Sequence, residues 1–192
     1  MEQIRSFIAI ELPDELKLKL GRLETQLKSG KPPGVKWVDP GSIHLTLKFL
    51  GSIALERTGE IASAMEEAAR TVSPFHLEVK GLGVFPDLKQ VRIAWVGISG
   101  EADKLAQLQQ CIVSNLARLG FAPESRPFTS HLTLARLRDQ ASLDERQRFE
   151  QLIAGARFEA GVINVDAISL MKSQLTKEGA IYSRISSVRL KN

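Results

Sequence analysis

Three observations predict an α+β fold whose strands pair antiparallel. Short alternating, strand-like runs are interspersed with stretches that carry apolar residues at helical spacing. Two of the runs, Phe75 to Val84 and Val91 to Ile98, are joined through the short segment Phe85-Pro86-Asp87-Leu88-Lys89, as hairpin neighbours are. A tetrapeptide occurs twice, as His44-Leu45-Thr46-Leu47 and His131-Leu132-Thr133-Leu134, each copy in a β-prone stretch.

The elements follow in order. Arg5 to Ile10 alternates as a strand does, and Pro13-Asp14-Glu15 then opens a helix carrying Leu16, Leu20, Leu23 and Leu27 on one stripe. Ser29-Gly30-Lys31-Pro32-Pro33-Gly34 stops it. A short apolar segment around Val35 to Val38 leads through the turn residues Asp39-Pro40-Gly41-Ser42 into the first motif strand. Leu55 to Arg70 is a helix candidate with Ile61, Met65 and Ala68 or Ala69 on one face, and the hairpin follows. Glu101 to Leu119 is helical, Gly120 is a natural stop, and Pro123 and Pro127 break the chain before the second motif strand, as Pro40 does before the first. A helix near Leu143 to Ile153 and strand-like runs at Val162 to Met171 and Ala180 to Val188 close the chain. The gross order is roughly twofold repetitive, which suggests a duplicated unit.

The chain has 192 residues, enough for one sizeable core, and residues 1–192 read as one compact unit. A hydrophobic content of 43% with 25% charged residues is ordinary for a globular protein, and no apolar run approaches the roughly 18 residues of a membrane span. The N-terminal segment lacks the apolar core of a signal peptide, so the cytoplasm is the expected location. Cys111 is the only cysteine, which excludes an intrachain disulfide and a four-cysteine metal site; it shares a stripe with Leu105, Leu108, Ile112 and Leu116 and reads as core. The net charge of +4 mildly favours a polyanionic partner. With no heptad repeat or broad apolar stripe, a monomer is expected.

The repeated motif carries the chemistry. On a strand, residues i and i+2 point to the same face, so each copy presents one imidazole and one hydroxyl together, His44 with Thr46 and His131 with Thr133. The same parity puts Lys48 beside His44 and assigns Leu45, Leu47 and Phe49 to the core. Core packing does not call for histidine twice at one place in the pleat. Two such strands facing one cleft would supply a general acid, a general base and two hydrogen-bond donors, the equipment for cleaving a phosphodiester without metal. His76 lacks a hydroxyl partner and reads as surface. Two imidazoles could ligate zinc, but the motifs bring no carboxylate or thiolate beside them.

At these residues the chain resembles the 2H phosphoesterase family, and within it the RNA 2′,3′-cyclic phosphodiesterases, also described as 2′-5′ RNA ligase-like proteins. The resemblance extends to Arg5 through Ile10, Trp37-Val38, His44 through Gly51, Gly83 through Pro86, Trp95-Val96-Gly97, Pro127-Phe128, Ala135-Arg136, Ser173, and Gly179 to Tyr182. It implies a bilobal, pseudo-twofold α+β fold in which two antiparallel sheets face a central cleft, helices cover the outer faces, and one motif strand lies in each lobe. It also implies the substrate, RNA ending in a 2′,3′-cyclic phosphate, and the product, a terminal 2′-phosphate.

For such hydrolysis water must lose a proton as it attacks phosphorus while the departing 3′ oxygen gains one. The resemblance implies His44 as donor to the leaving oxygen and His131 as base on water, with Thr46 and Thr133 holding the charged phosphoryl oxygens. It also implies a phosphate-binding arginine at Arg136. Strict alternation sets Arg136 opposite His131, so it reaches the phosphate only if the strand bends or ends near Ala135. Lys48 is the other cationic candidate. A nucleobase needs an aromatic platform; Tyr182 is implied by the resemblance, parity assigns Phe49 to the core, and Phe7 and Phe128 stay open. No cofactor is expected: Gly81-Leu82-Gly83-Val84-Phe85 lacks a third glycine and does not lead into a helix. Two other readings are a 2′-5′ RNA ligase running the reaction backward and a non-catalytic module that binds RNA ends.

Overall fold

The computed structural model describes residues 2–87, 90–177 and 179–191. The strand β1 (Gln3–Glu11) leads into α1 (Asp14–Ser29), β2 (Val35–Trp37), β3 (His44–Ala54) and α2 (Thr58–Ala69). The hairpin β4 (Phe75–Phe85) and β5 (Ile93–Gly100) precedes α3 (Ala102–Arg118), β6 (His131–Leu137), α4 (Leu143–Ala154), β7 (Glu159–Val165), β8 (Ala167–Leu175) and β9 (Ala180–Arg189). One sheet runs in the order β3-β1-β8-β9 and the other β2-β6-β5-β4-β7, with antiparallel pairing throughout. The α+β class with two antiparallel sheets is therefore the observed fold. Of the expected hairpin connection, Leu88 and Lys89 lie outside the described residues.

Each helix forms for a local reason. In α1, Asp14 and Glu15 occupy the positive end and Lys28 the negative end, and the predicted leucine stripe is buried. In α4, Ser142 Oγ accepts from the Glu145 amide while the Glu145 carboxylate accepts from the Ser142 amide, a reciprocal cap. Gly120, with φ of +86°, ends the segment after α3 in a conformation that side chains disfavour. The helix expected from Leu55 begins instead as a 3₁₀ turn, Leu55–Arg57, before α2. Among the described residues no helix is long and apolar enough to cross a membrane.

One apolar run divides differently from its sequence pattern. Val162 to Met171 reads as a single strand, yet it breaks at Asp166: β7 pairs with β4 in one sheet, and β8 pairs with β1 in the other. The Asp166 carbonyl, lost to both ladders, accepts from the Leu190 amide at 2.8 Å. In the opposite direction β2 leaves the α1–β3 connection to pair with β6, so the first sheet takes β8 and β9 from the end of the chain and the second takes β2 from near its start.

The faces of the sheets are unequal. Ile8 and Ile10 of β1 join the helix leucines in a continuous core that also holds Leu132 and Leu134 of β6. Phe7 and Ala9, on the other face of β1, belong to a separate small cluster with Met171 and Tyr182. The motif histidines share this second kind of face, away from the helices. In the first sheet β3 is an edge strand, and in the second the start of β6 extends beyond the short β2. Cα atoms of β3 and β6 approach within 8 Å, so the two motif strands lie next to one another where the sheets meet.

Candidate active site

The geometry of the site depends on an irregularity that occurs in both motif strands. Opposite β1, Thr46 pairs with Ala9 and Lys48 with Ile8, which leaves Leu47 as an extra residue. Opposite β5, Thr133 pairs with Trp95 and Ala135 with Ala94, which leaves Leu134 extra at the same place in the motif. A bulge inserts one residue and so reverses which face every later side chain occupies. Each bulged carbonyl finds a donor from elsewhere: Gln109 Nε2 approaches Leu47 O at 3.4 Å, and the Val38 amide donates to Leu134 O at 2.8 Å.

This phase reversal settles the position of Arg136. It stands on the His131 face, exposed and, among the described residues, without an ionic or hydrogen-bonding partner. The same reversal corrects two expectations on β3. Lys48 turns inward and is only 4% exposed; its ammonium donates to Ala122 O at 2.9 Å and lies 3.6 Å from Glu124, so it is not beside His44 as alternation predicts. Phe49, assigned to the core by parity, is 59% exposed on the His44 face, next to Phe7. Five residues past each histidine the structure thus presents one aromatic ring and one guanidinium in corresponding positions.

The two histidines are oriented by the same contact. His44 Nδ1 lies 2.9 Å from Ser42 O, and His131 Nδ1 lies 2.7 Å from Thr129 O, in each case the carbonyl two residues earlier. A carbonyl only accepts, so Nδ1 carries the hydrogen in both rings and Nε2 is left to give or take a proton. Thr46 and Thr133 share the histidine faces, half-buried, and among the described residues neither hydroxyl is engaged by another group.

The surroundings of the two rings differ. His44 is stacked on Phe7 at 4.5 Å between ring centres, and Tyr182 meets both rings edge-on, at 5.0 Å from His44 and 5.1 Å from Phe7. Burial among these rings pushes the His44 pKa below its ordinary value, opposed by the Ser42 carbonyl and by the charge of Glu11. Glu11 stands directly across the ladder from His44 and is ion-paired with Arg184. His131 has Gly97 across from it and the edge of Phe85 at 4.9 Å. Gly83 leaves room for the Trp95 indole, since a Cβ there would fall 2.2 Å from the ring. Phe128, one of the open aromatic candidates, packs against the main core. His76 is exposed beside Glu101, as a surface residue.

Sequence reasoning did not identify Glu11 or Phe85. Glu11 shares strand parity with Phe7 and Ala9, but only the β1–β3 register reveals that it opposes His44. Among the described residues no group of three or more His, Cys, Asp or Glu side chains is placed to hold a metal ion.

The LigT like Phosphoesterase family model matches residues 10–95 and again residues 96–182, one motif strand in each match. The chain belongs to the LigT-like 2H phosphoesterase family. Its relatives include the RNA 2′,3′-cyclic phosphodiesterase of Methanothermobacter thermautotrophicus, 31% identical over 98% of this chain and all of that protein. Another, of the same name from Aquifex aeolicus, is 36% identical over 81% of each chain. Among solved structures, TT0787 of Thermus thermophilus superposes with a TM-score of 0.79 at 26% identity, covering 97% of this chain and 98% of that one. Escherichia coli LigT complexed with 3′-AMP has the same fold, with a TM-score of 0.79 at 24% identity over the whole of both chains. As a LigT-like phosphoesterase the chain is a hydrolase, and the double match coincides with the twofold correspondence of its bulged motif strands.

Proposed function

We propose that this chain opens the 2′,3′-cyclic phosphate at RNA 3′ ends to a 2′-phosphomonoester, using its two motif histidines as acid and base and no metal ion. The observation that carries the reading is the pair of imidazoles on adjoining strands, each fixed through Nδ1 to the carbonyl two residues earlier and each retaining a free Nε2. A site that only bound RNA ends would need cations and ring faces, but not two matched titrating groups. The shared name of the relatives, RNA 2′,3′-cyclic phosphodiesterase, supports the same substrate.

In this reading His131 Nε2 takes a proton from the attacking water while His44 Nε2 returns one to the departing 3′ oxygen. Water forms the new P–O bond as the P–O3′ bond breaks, and the 2′ ester remains. The assignment follows the asymmetry of the surroundings. Both rings have a carbonyl at Nδ1, but Glu11 across the ladder favours a charged ring at position 44, whereas Gly97 brings no charge to His131. Burial opposes that charge, and a bound anionic phosphate favours it. The Thr46 and Thr133 hydroxyls donate to the non-bridging oxygens, on which negative charge grows as water adds. Arg136 neutralises the phosphate, Phe49 offers its exposed ring to the terminal base, and Tyr182 buttresses His44. The enzyme acts as a monomer in the cytoplasm.

The test is incubation of the purified protein with a 2′,3′-cyclic-phosphate oligonucleotide in excess EDTA. Conversion to the 2′-phosphate at an undiminished rate is expected. Binding without product would favour the RNA-end module, and turnover abolished by EDTA would favour a metal enzyme. Sedimentation at twice the chain mass would refute the monomer.

A further inference from the structure

The two motif strands match in fold, bulge and histidine orientation, but among the described residues an ionic pair stands across the ladder from His44 and none from His131. Glu11 is the cross-ladder partner of His44, so both side chains lie on one face of the first sheet. Its carboxylate is ion-paired with Arg184 of β9 and lies 3.4 Å from the Ser169 hydroxyl of β8, contacts that fix it from the strands beyond β1. At the corresponding place in the second sheet, Gly97 faces His131.

With His44 taken as the proton donor proposed above, we propose that Glu11 and Arg184 are positioning residues that set the protonation of His44 in opposite directions and leave His131 untouched. Glu11 steadies the imidazolium by charge. Arg184 neutralises part of that charge and limits the effect. Neither group is proposed to touch the reacting atoms. Among the described residues, Arg5 on β1 and Tyr182 on β9 are further charged or titratable groups on the face that carries His44. Across the junction of the sheets β6 presents His131 and Arg136. Of the charged side chains, Glu11 is the one whose charge favours the His44 cation, against the burial of the ring.

A pair that merely braced the strands would behave differently, because breaking it from either end would then have the same consequence. The experiment is a proton NMR titration of the histidine rings in the wild type, Glu11→Gln and Arg184→Gln proteins, with His44→Asn and His76→Asn variants to assign the resonances. Glu11→Gln is expected to move the His44 titration to lower pH by on the order of half a pH unit, and Arg184→Gln to move it upward. His131 serves as the internal reference and stays in place. Both shifts shrink as salt rises, because the pair is partly exposed.

No movement of His44 in either variant, or movement in the same direction in both, overturns the proposal. The dependence of kcat/KM on pH separates this proposal from the donor reading. If His44 must be protonated to act, Glu11→Gln lowers kcat/KM on the alkaline side of the optimum by about threefold, the fold-change equal to half a pH unit. Opposite NMR shifts with an unchanged alkaline side support the tuning by Glu11 and Arg184 while overturning His44 as the donor.

Discussion

The strand that carries His44 and the strand that carries His131 bend at the same residue of the motif, but they use the bend for different ends. After Leu47 the reversed parity sends a lysine into the interior and an aromatic ring, Phe49, out to the histidine face. After Leu134 it buries Ala135 and brings out Arg136. The features common to both strands, a histidine tied through Nδ1 and a hydroxyl two residues on, suit a reaction that needs proton transfer and charge stabilisation from two sides. The features that differ suit a substrate with a flat base at one end and an anionic phosphate in the middle. In the proposed reading the matched pair does the proton transfer, and the two divergent residues give the substrate its direction across the site.

The largest effects should come from the matched pair. His44→Ala and His131→Ala are each expected to cut kcat by on the order of 10²- to 10⁴-fold in single-turnover assays. The double variant should fall little further, because the two groups act in one step. A variant of either histidine with near-normal turnover would make the twofold correspondence structural only. Next come Thr46→Val and Thr133→Val, which keep the shape of the side chain and delete the donor. Each should raise the barrier by roughly 2.7–4 kcal/mol, as loss of an oxyanion donor does, with little change in thermal stability. Equal losses at both positions would extend the symmetry to the transition state, and a loss at one alone would break it.

The unequal features were also unequally legible in the sequence. In the second strand the signal was present: Leu132 and Leu134 share one parity, whereas Ala135 and Leu137 share the other with Arg136 between them. An apolar pattern that changes phase after Leu134 is the mark of an inserted residue. In the first strand the bulge is hidden, because Lys48 and Phe49 have the polarity that an unbroken strand would require. A buried lysine and an exposed phenylalanine reproduce the alternation while the backbone reverses it. The helices, the antiparallel hairpin and both motif strands could be read from local periodicity. The break at Asp166 could not, since only the pairing of β7 with β4 and β8 with β1 distinguishes two strands from one. Glu11 was hidden for the same reason: cross-strand opposition is fixed by register, which no local pattern specifies.

The divergent pair gives effects of intermediate size, separable by their signatures. Arg136→Gln removes a charge-assisted contact worth about 1.5–3 kcal/mol, so kcat/KM should fall by one to two orders of magnitude for every cyclic phosphate, whatever its base. The dependence of KM on salt should weaken in parallel. Phe49→Leu removes a stacking surface worth about 1–3 kcal/mol per base, and the loss should appear in KM for nucleotide substrates with the salt dependence unchanged. Identical salt and base profiles for the two variants would show that the positions have not divided the work.

The smallest expected effect concerns Lys48, and it tests whether the bulge on β3 sets that strand's faces as described. Its ammonium is committed to the Ala122 carbonyl and to Glu124, in a loop that solvent reaches, so both partners can turn to water if the charge is removed. Lys48→Met keeps the aliphatic stem in the interior and deletes only the ammonium. Exchange of a buried charge for an apolar group of similar volume is often neutral or stabilising, so the melting temperature should change little or rise. Activity should stay within about twofold of wild type, in contrast to Arg136→Gln, because the side chain is on the wrong face to reach a phosphate held between the histidines. A fall in kcat/KM comparable to that of Arg136→Gln, with stability intact, would return Lys48 to the histidine face and show that β3 runs without its bulge in solution.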